Sequence, residues 1–166
     1  MVVAYMSGFT ALGRNELSQH MAFAIMFDIV YQLNAFSRWN VDDLGKFLLY
    51  PASIGQFSIF YSSSAGCCVG FCTWAFVTED VLAQLQSGQY DLQPDDWQSG
   101  TNLYIADFVC KAGLALKLGR VLRDMVLKNH FGRASAVKRS EAGDIIRPSF
   151  WTKKVAETKP SQRKLH

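Results

Sequence analysis

The spacing of apolar and polar residues predicts a chain in which helices and strands follow one another along a single fold. A broad apolar face at helical spacing covers Leu17–Phe36, which favours a helix that other elements largely cover. Asn40 and the two acids shortly after it have the composition of a helix start. They predict a second helix over Val41–Tyr50, which should end before Pro51 because proline disfavours helical backbone in the preceding residue.

Two apolar segments in the middle of the chain predict an antiparallel hairpin. Gln56–Tyr61 alternates between apolar and polar residues, Ser62–Gly66 has the composition of a turn, and Cys67–Val77 is a long apolar strand. The spacing between the two strands fits a hairpin loop of about five residues.

A short helix, a polar loop and a buried strand are predicted after the hairpin. Thr78 is a suitable N-cap for a helix over Glu79–Ser87, and Gly88 is a suitable end for it. Asp91–Asn102 is polar and predicts a loop. Leu103–Cys110 is apolar on both faces, which indicates a strand in the centre of the sheet.

The last third of the chain predicts a long helix and two strands. Apolar residues at helical spacing predict the helix over Gly113–Phe131, with Gly132 closing it. Strands are predicted over Arg133–Arg139 and over Asp144–Trp151, the second one interrupted by Pro148. This order of elements predicts an α/β (α+β) fold, with a mixed sheet flanked by helices.

Size and charge indicate one domain with a basic end. The chain has 166 residues and a net charge of +3 at neutral pH. This length fits a single domain, which we place at residues 1–151. Residues 152–166 contain five basic residues and one acid, which predicts a flexible, solvated tail. The alternative is a weak docking site for an acidic partner.

Cysteine spacing and the distribution of histidines predict neither a disulfide framework nor a metal site. Cys67, Cys68 and Cys72 fit neither a zinc knuckle nor a CxxC motif, so free thiols in a reducing compartment are expected. The start of the chain lacks a basic signal-peptide region. The best apolar stretch, Met21–Leu33, contains Asp28 and is too short to cross a bilayer. We therefore expect a cytoplasmic protein without a membrane span.

Asp107 is the first candidate for a catalytic residue. It is the single carboxylate within the apolar strand Leu103–Cys110. A charge in such surroundings is costly unless it is paired or used. The structural alternative is a carboxylate that is bonded to a neighbouring arginine or to backbone N–H groups.

Several motifs occur in a characteristic order between Arg38 and Trp151. In chain order they are Pro51-Ala52, Gln56-Phe57, Cys72-Thr73-Trp74-Ala75, the acidic helix Glu79–Gln86, Asp95-Asp96-Trp97-Gln98-Ser99-Gly100, and Tyr104-Ile105-Ala106-Asp107 followed by Gly113. Together they resemble the toxin-activating lysine acyltransferases, which attach fatty acyl groups to internal lysines of repeats-in-toxin (RTX) protoxins.

The resemblance implies a fold like that of the GCN5-related N-acetyltransferases and acyl-acyl-carrier protein as the acyl donor, with no tightly bound cofactor. It also implies toxin activation by fatty acylation, with hemolysis as its consequence. The chemistry of the family uses a histidine and an aspartate, and Asp107 occupies the place of the aspartate. A lysine amine has a pKa near ~10.4, so a base must take its proton as it attacks the thioester.

The resemblance also shows that the histidine of the family is replaced. Its position holds Ser37, followed by Arg38 and Trp39, and a serine without a base of its own cannot replace imidazole. His20 lies seventeen residues before Ser37. Along one helix this is roughly 25 Å, so His20 serves only if the helix breaks or folds back. His20 is the second catalytic candidate, with a polar residue in the first helical turn as its structural alternative.

The junction after the central strand predicts where a carrier would bind. Lys111 and Gly113 lie at a strand-to-helix junction of the kind whose N–H groups suit a phosphate, as in phosphopantetheine. Arg120 and Arg123 lie on a helix face that suits the acidic surface of a carrier protein, or that is simply solvated. The expected partners are acyl-carrier protein and an RTX protoxin, with a homodimer as a further option and no nucleic acid.

Two other functions stay open at this point. A relative that has kept the fold and lost the chemistry would bind a carrier or a toxin segment without turnover, and the missing histidine motivates this reading. The other is a coenzyme A-dependent N-acetyltransferase, although Lys111–Gly113 lacks the Arg/Gln-x-x-Gly-x-Gly/Ala phosphate cradle of those enzymes.

Overall fold

A seven-stranded sheet forms the centre of the protein in the computed structural model, which describes residues 4–6, 8–128, 133–139 and 145–152. Strands that are neighbours in the sequence are neighbours in the sheet. The strands are β1 (Ala4–Met6), β2 (Phe9–Leu12), β3 (Phe57–Ser62), β4 (Cys67–Val77), β5 (Asn102–Cys110), β6 (Arg133–Arg139) and β7 (Ile145–Thr152). Each neighbouring pair is antiparallel except β5 and β6, which are parallel.

Helices flank both faces of this sheet, which confirms the predicted α/β (α+β) class. The α-helices are α1 (Gln19–Gln32), α2 (Val41–Leu44), α3 (Tyr50–Ile54), α4 (Glu79–Ser87) and α5 (Ala115–Val121). A π-helical turn, Gly45–Leu49, joins α2 to α3, and a second one, Leu122–Val126, continues α5. The cap residues predicted for the fourth helix are confirmed, since the Thr78 side chain accepts from the Val81 N–H and Gly88 has a φ of 78°.

Helix α5 covers one face of the sheet through a cluster that we call the α5 cluster. Its helical members Leu118, Val121 and Leu122 pack with strand residues that include Trp74 and Ile105. These side chains are at most 7% exposed, so they form a dry layer between helix and sheet.

The opposite face of the sheet carries two further clusters, which we call the α1 cluster and the α4 cluster. In the α1 cluster, Ala22 and Met26 of α1 pack with Phe71 of β4 and with Val109 of β5. The α4 cluster unites helix α4, the loop after it and the sheet, with the buried members Ala75, Val77, Leu82, Leu85, Leu92, Trp97 and Tyr104. Phe71 and Ala75 lie on the same face of β4 because they are four residues apart.

The predicted end of the second helix before Pro51 is wrong. Helical structure continues through Pro51 to Ile54 and ends at Gly55, which has a φ of 74°. In a regular α-helix the proline ring would clash with the carbonyl four residues earlier. The π-helical turn Gly45–Leu49 lies directly before this position and changes that geometry.

Two other features of the fold differ from the sequence prediction. Strands β1 and β2 were not predicted; Met6 pairs with Phe9, and Gly8 has a φ of 83° between them. Pro148 does not interrupt the last strand, since it pairs with Val137 inside β7. β7 is the last strand of the described sheet, and an edge strand tolerates a proline because one side needs no N–H donor.

The structure describes only part of the elements that the sequence predicts for the last third of the chain. The long helix runs from Ala115 through its π-helical turn to Val126, and its predicted closure at Gly132 lies outside the described residues. The last strand reaches Thr152. Residues 153–166 lie outside the described part, so the division into a domain over 1–151 and a tail over 152–166 stays a prediction.

Gly100 allows the loop after Trp97 to approach the end of β4. Its N–H donates to the Phe76 carbonyl at 2.9 Å, and a Cβ at this position would lie 2.3 Å from the Val77 carbonyl oxygen. We expect Gly100→Ala to lower the free energy of unfolding by about 2–3 kcal/mol, because the backbones must separate. Urea unfolding followed by circular dichroism measures this loss.

The matched control for this prediction is Gly119→Ala. Gly119 lies in α5, and a Cβ there would meet no atom within 4 Å. This variant should gain about 0.5–1 kcal/mol because alanine favours helix over glycine. Equal stability of the two variants would contradict the close approach at Gly100.

Candidate active site

A β-bulge in β5 lies directly before Asp107. In the ladder with β4, Asp107 is opposite Thr73 and Ile105 is opposite Trp74, so Ala106 is one residue more than β4 provides. Such a bulge bends the strand and re-aims the side chains beside it. Beyond it, Val109 packs into the α1 cluster while Phe108 and Cys110 pack against the α5 cluster. The bulge therefore sets which face of the sheet Asp107 occupies.

Asp107 and Thr73 form a polar pair on the face that α1 covers. Thr73 lies between Phe71 of the α1 cluster and Ala75 of the α4 cluster, and it is fully buried. Its hydroxyl donates to Oδ2 of Asp107 at 3.5 Å, which is longer than a typical O–H···O hydrogen bond and makes this a weak contact. Asp107 itself is half-buried. The carboxylate thus sits where two apolar clusters meet, without being sealed inside either.

The sheet opens between β5 and β6 at the level of this pair. Within the described residues, their parallel ladder ends at Ile105 and Ala136. β5 continues to Cys110 and β6 continues to Arg139 without further pairing to each other. We call this opening the notch, lined by Ala106–Cys110 and Val137–Arg139. The edge of a sheet beyond the end of a ladder is a place where an extended ligand can add as a strand.

The buried thiols near the site are kept protonated. Burial raises the pKa of the Cys72 thiol well above its usual range, and the negative charge of Asp107 raises it further. Burial is also the largest cause that raises the pKa of Cys68 and of Cys110. Because the thiolate is the reactive form, these three cysteines are poor nucleophiles at neutral pH.

Ser37, which the sequence resemblance aligns with the family histidine, lies in an exposed turn after α1. Ser37 and Arg38 are exposed, and Phe36 has a φ of 57°, a backbone conformation that is strained for a large side chain. Phe36 stacks on Trp39 with ring centroids 4.1 Å apart, and Trp39 stacks on Phe47 at 5.2 Å. This stack holds the turn in place.

The aromatic stack connects the turn to the face that carries Asp107. Trp39 packs against the α1 cluster and Phe47 packs against the α4 cluster. These are the two clusters that meet at Thr73 and Asp107. Ser37, two residues before Trp39 in the chain, therefore belongs to the same side of the sheet as the carboxylate.

His20 lies on the outer surface of α1. It is exposed, and Ala22 two residues later is buried against the sheet. Two residues correspond to roughly 200° around the helix, so His20 points away from the sheet. Its Nε2 is 3.5 Å from the side-chain amide nitrogen of Gln19. The structure therefore does not bring His20 towards Asp107, and a catalytic role for His20 stays a prediction.

The residues predicted to bind the carrier are spread around the end of β5 and along α5. The ammonium of Lys111 donates to Sγ of Cys67 at 3.6 Å, so this side chain turns back to β4. Gly113 has a φ of 81° in the turn before α5. Arg120 is exposed on α5, whereas Arg123 forms an ion pair with Asp124 at 2.6 Å. Their role in carrier binding stays a prediction.

The described part of the chain contains neither a membrane span nor a metal-binding cluster. No helix there is both long and apolar enough to span a bilayer. No group of three or more His, Cys, Asp or Glu side chains there is arranged to hold a metal ion.

Comparison with known proteins places this site in a family. The sequence matches the RTX toxin acyltransferase family, HlyC, over residues 15–149. This chain belongs to the RTX toxin acyltransferase family. The match covers the exposed turn at Ser37, the Thr73–Asp107 pair and the notch, and it confirms the resemblance drawn from the sequence motifs.

Two curated proteins are similar to this RTX toxin acyltransferase family member. The lysine-acyltransferase RtxC of Vibrio cholerae is 34% identical over 89 residues, which are 54% of this chain and 58% of RtxC. An uncharacterised protein of Synechocystis is 25% identical over 111 residues, which are 65% of this chain and 76% of that protein. The match thus spans less than two thirds of the length of RtxC.

Sequence reasoning found Asp107 but missed the features that surround it in this member of the RTX toxin acyltransferase family. The bulge at Ala106 and the partner Thr73 depend on the register between β4 and β5. One signal was present, since Thr73 is a polar residue in the apolar run of β4. A buried hydroxyl needs a hydrogen-bond partner.

Removing the Thr73 hydroxyl should disturb the carboxylate without unfolding the protein. Thr73→Val keeps the shape of the side chain and deletes the donor, whereas Thr73→Ser keeps the donor. We expect the kcat of acyl transfer to fall by up to about tenfold in the valine variant. A short hydrogen bond to a charged group would contribute more, and a long contact provides only part of that stabilisation. The serine variant should retain most of the rate. Equal rates for wild type and valine variant would show that the contact has no role.

Proposed function

We propose that this protein transfers a fatty acyl group from acyl-carrier protein to internal lysines of an RTX protoxin. Membership of the RTX toxin acyltransferase family supports this reaction class. The structural observation that best supports this reaction is the half-buried Asp107, whose orientation is changed by a bulge beside the notch. The relative RtxC is named a lysine-acyltransferase, which fits the proposed acceptor.

Asp107 supplies the base that this reaction needs. The substrate lysine arrives as an ammonium ion, and the carboxylate takes one proton from it. The amine nitrogen then attacks the thioester carbonyl carbon, the carbon–sulfur bond breaks and an amide forms. Of the two protons that the nitrogen loses, one ends on the released thiol and the other passes to solvent. No resident cofactor is required, because the thioester arrives already activated.

The notch suits the donor side of the reaction. The arm that carries the acyl group on a carrier protein is long and contains amide groups. The described ladder between β5 and β6 ends at Ile105, and such an arm would lie along β5 beyond this residue, as an added strand would. The thioester at the end of the arm would then lie beside Asp107.

The exposed face of α5 and its continuation suits an acidic carrier protein. Lys117, Arg120, Arg123 and Lys128 are exposed there, and Asp124 neutralises part of that charge. Complementary charge of this kind mainly raises the association rate and orients the partner.

Four free cysteines fit a reducing compartment, and we place the reaction in the cytoplasm. Acylation would activate the protoxin, with hemolysis as its cellular readout.

Neutralising the carboxylate tests the proposal directly. Asp107→Asn keeps the shape of the side chain and removes the base, so we expect single-turnover acyl transfer to fall by at least about 100-fold. Purified protoxin, acyl-acyl-carrier protein and mass spectrometry of the lysine peptides measure the transfer. The matched control is Asp95→Asn, an exposed carboxylate in the loop before Trp97. Transfer that is the same in both variants would remove Asp107 from the mechanism.

One observation favours a second candidate function, a relative that binds carrier or toxin without turnover. The resemblance implies that Ser37 stands in place of the family histidine; Ser37 is exposed, and His20 points away from the sheet. In that case wild-type protein would bind acyl-carrier protein and transfer nothing. Any robust single turnover excludes this candidate.

Restoring an imidazole at this position separates the two candidates. If Asp107 works alone in this chain, Ser37→His should raise transfer by at least about tenfold, because a second base shortens the proton path. The control is Ser63→His, which places an imidazole in the exposed hairpin turn. If Ser37→His and Ser63→His transfer equally slowly, the turn at Ser37 has no access to the reacting lysine.

A further inference from the structure

Lys111 and Cys67 form a polar contact between the end of β5 and the start of β4. Nζ of Lys111 donates to Sγ of Cys67 at 3.6 Å, and the two residues are 44 positions apart in the chain. The backbone N–H of Lys111 also donates to the Val69 carbonyl at 2.9 Å. The pairing of β4 with β5 therefore holds this nitrogen and this sulfur side by side.

Both residues of this pair border exposed segments of the chain. Cys67 directly follows the exposed residues Ser63–Gly66, and Lys111 directly precedes the exposed residues Ala112 and Gly113. Cys67 and Lys111 are themselves half-buried. A molecule that approaches this corner of the sheet can therefore reach the sulfur and the nitrogen together.

Cys67 differs from the other three cysteines in its surroundings. Burial raises the pKa of the Cys72 thiol well above its usual range, and burial is also the largest cause that raises the pKa of Cys68 and of Cys110. Cys67 instead contacts a lysine side chain at the rim of the sheet. A partly exposed, electropositive environment is typical of reactive cysteines.

We propose that Cys67 and Lys111 form a self-acylation site, at which the acyl group of a fatty acyl thioester passes through Cys67 to Lys111. In the first step the Cys67 sulfur attacks the carbonyl carbon of the thioester, the carbon–sulfur bond of the donor breaks, and the thiol proton ends on the released donor thiol. In the second step Lys111, after its ammonium has given one proton to solvent, attacks the same carbon. The bond to Cys67 breaks, and a proton moves from the nitrogen to the sulfur. Cys67 is regenerated, and Lys111 carries an amide.

The contact between the two side chains favours the second step. The carbonyl carbon of an acyl group on Cys67 is one bond from the sulfur that the Lys111 nitrogen already contacts. Holding two reacting groups together in this way replaces a collision between separate molecules. An amide is more stable than a thioester, so the acyl group stays on Lys111. The modification removes the positive charge of this lysine and adds an apolar chain between β5 and α5.

Self-acylation shares only the acyl thioester with the proposed function. It needs neither a protoxin nor the carboxylate of Asp107, so each of the two reactions can be measured without the other. The donor is defined by its thioester, which both acyl-carrier protein and acyl-coenzyme A present.

Peptide mass spectrometry after incubation of the full chain with octanoyl-coenzyme A, or with octanoyl-acyl-carrier protein, tests the proposal in the absence of protoxin. Wild type should acquire an octanoyl group on Lys111 that resists hydroxylamine, which cleaves thioesters and spares amides. In Cys67→Ser the rate of this acylation should fall by at least about tenfold, because Lys111 loses the acyl group held beside it. In Lys111→Arg the octanoyl group should stay on Cys67, where hydroxylamine removes it.

Two controls are matched to these variants. Lys117 is exposed on α5 and should be acylated equally slowly in wild type and in Cys67→Ser. Cys68→Ser changes the neighbouring thiol and should leave the acylation of Lys111 unchanged. Far-ultraviolet circular dichroism shows that each variant is folded. Acylation from one donor alone supports the proposal and identifies the source of the acyl group. Acylation of Lys111 that is equal in wild type and Cys67→Ser, or absent from wild type with both donors, overturns it.

Discussion

The parallel pairing of β5 with β6 stops after three residue pairs in the described part of the chain, and the proposed site depends on this early stop. A sheet that stayed paired here would leave less room for a substrate beside Asp107. The bulge at Ala106 comes directly after the last paired residue, Ile105, and increases the local twist of β5. The end of the pairing and the bulge that orients Asp107 therefore lie at the same point of β5.

A carboxylate in this place is expensive for the fold. Asp107 lies between two apolar clusters, and burial together with the negative charge of Asp107 raises the pKa of Cys72. Thr73 offsets part of this cost with a long hydrogen bond. Half-burial serves the proposed reaction, because a base that is partly removed from water interacts more strongly with a substrate ammonium ion. Membership of the RTX toxin acyltransferase family gives this arrangement a reaction class.

Local chemistry made a large part of the fold predictable. The hairpin of β3 and β4, helix α4 with its caps Thr78 and Gly88, and the central strand β5 follow from residue patterns within a few positions. Asp107 could be found for the same reason, as a charge within an apolar run. What could not be predicted depends on register between distant segments. The bulge, the Thr73 contact and the notch exist only after β4, β5 and β6 are paired.

The predicted partner of Asp107 in catalysis shows the same limit. Resemblance to the family placed Ser37 at the histidine position, and helical spacing put His20 far from it. Only the structure shows that the turn at Ser37 is tied by the stack of Phe36, Trp39 and Phe47 to the side of the sheet that carries Asp107. The sequence predicts a helix that continues through Phe36 and therefore no turn at this point. Helical propensity does not reveal where tertiary packing ends a helix.

The central claim is that the acyl donor enters at the notch beside Asp107. Amide chemical shifts of the ¹⁵N-labelled protein, followed as acyl-acyl-carrier protein is added, test it most directly. The account predicts that the largest shift changes fall on Ala106–Cys110 and Val137–Arg139, the two sides of the notch. Shift changes confined to other surfaces, with both segments unaffected at saturation, would contradict it.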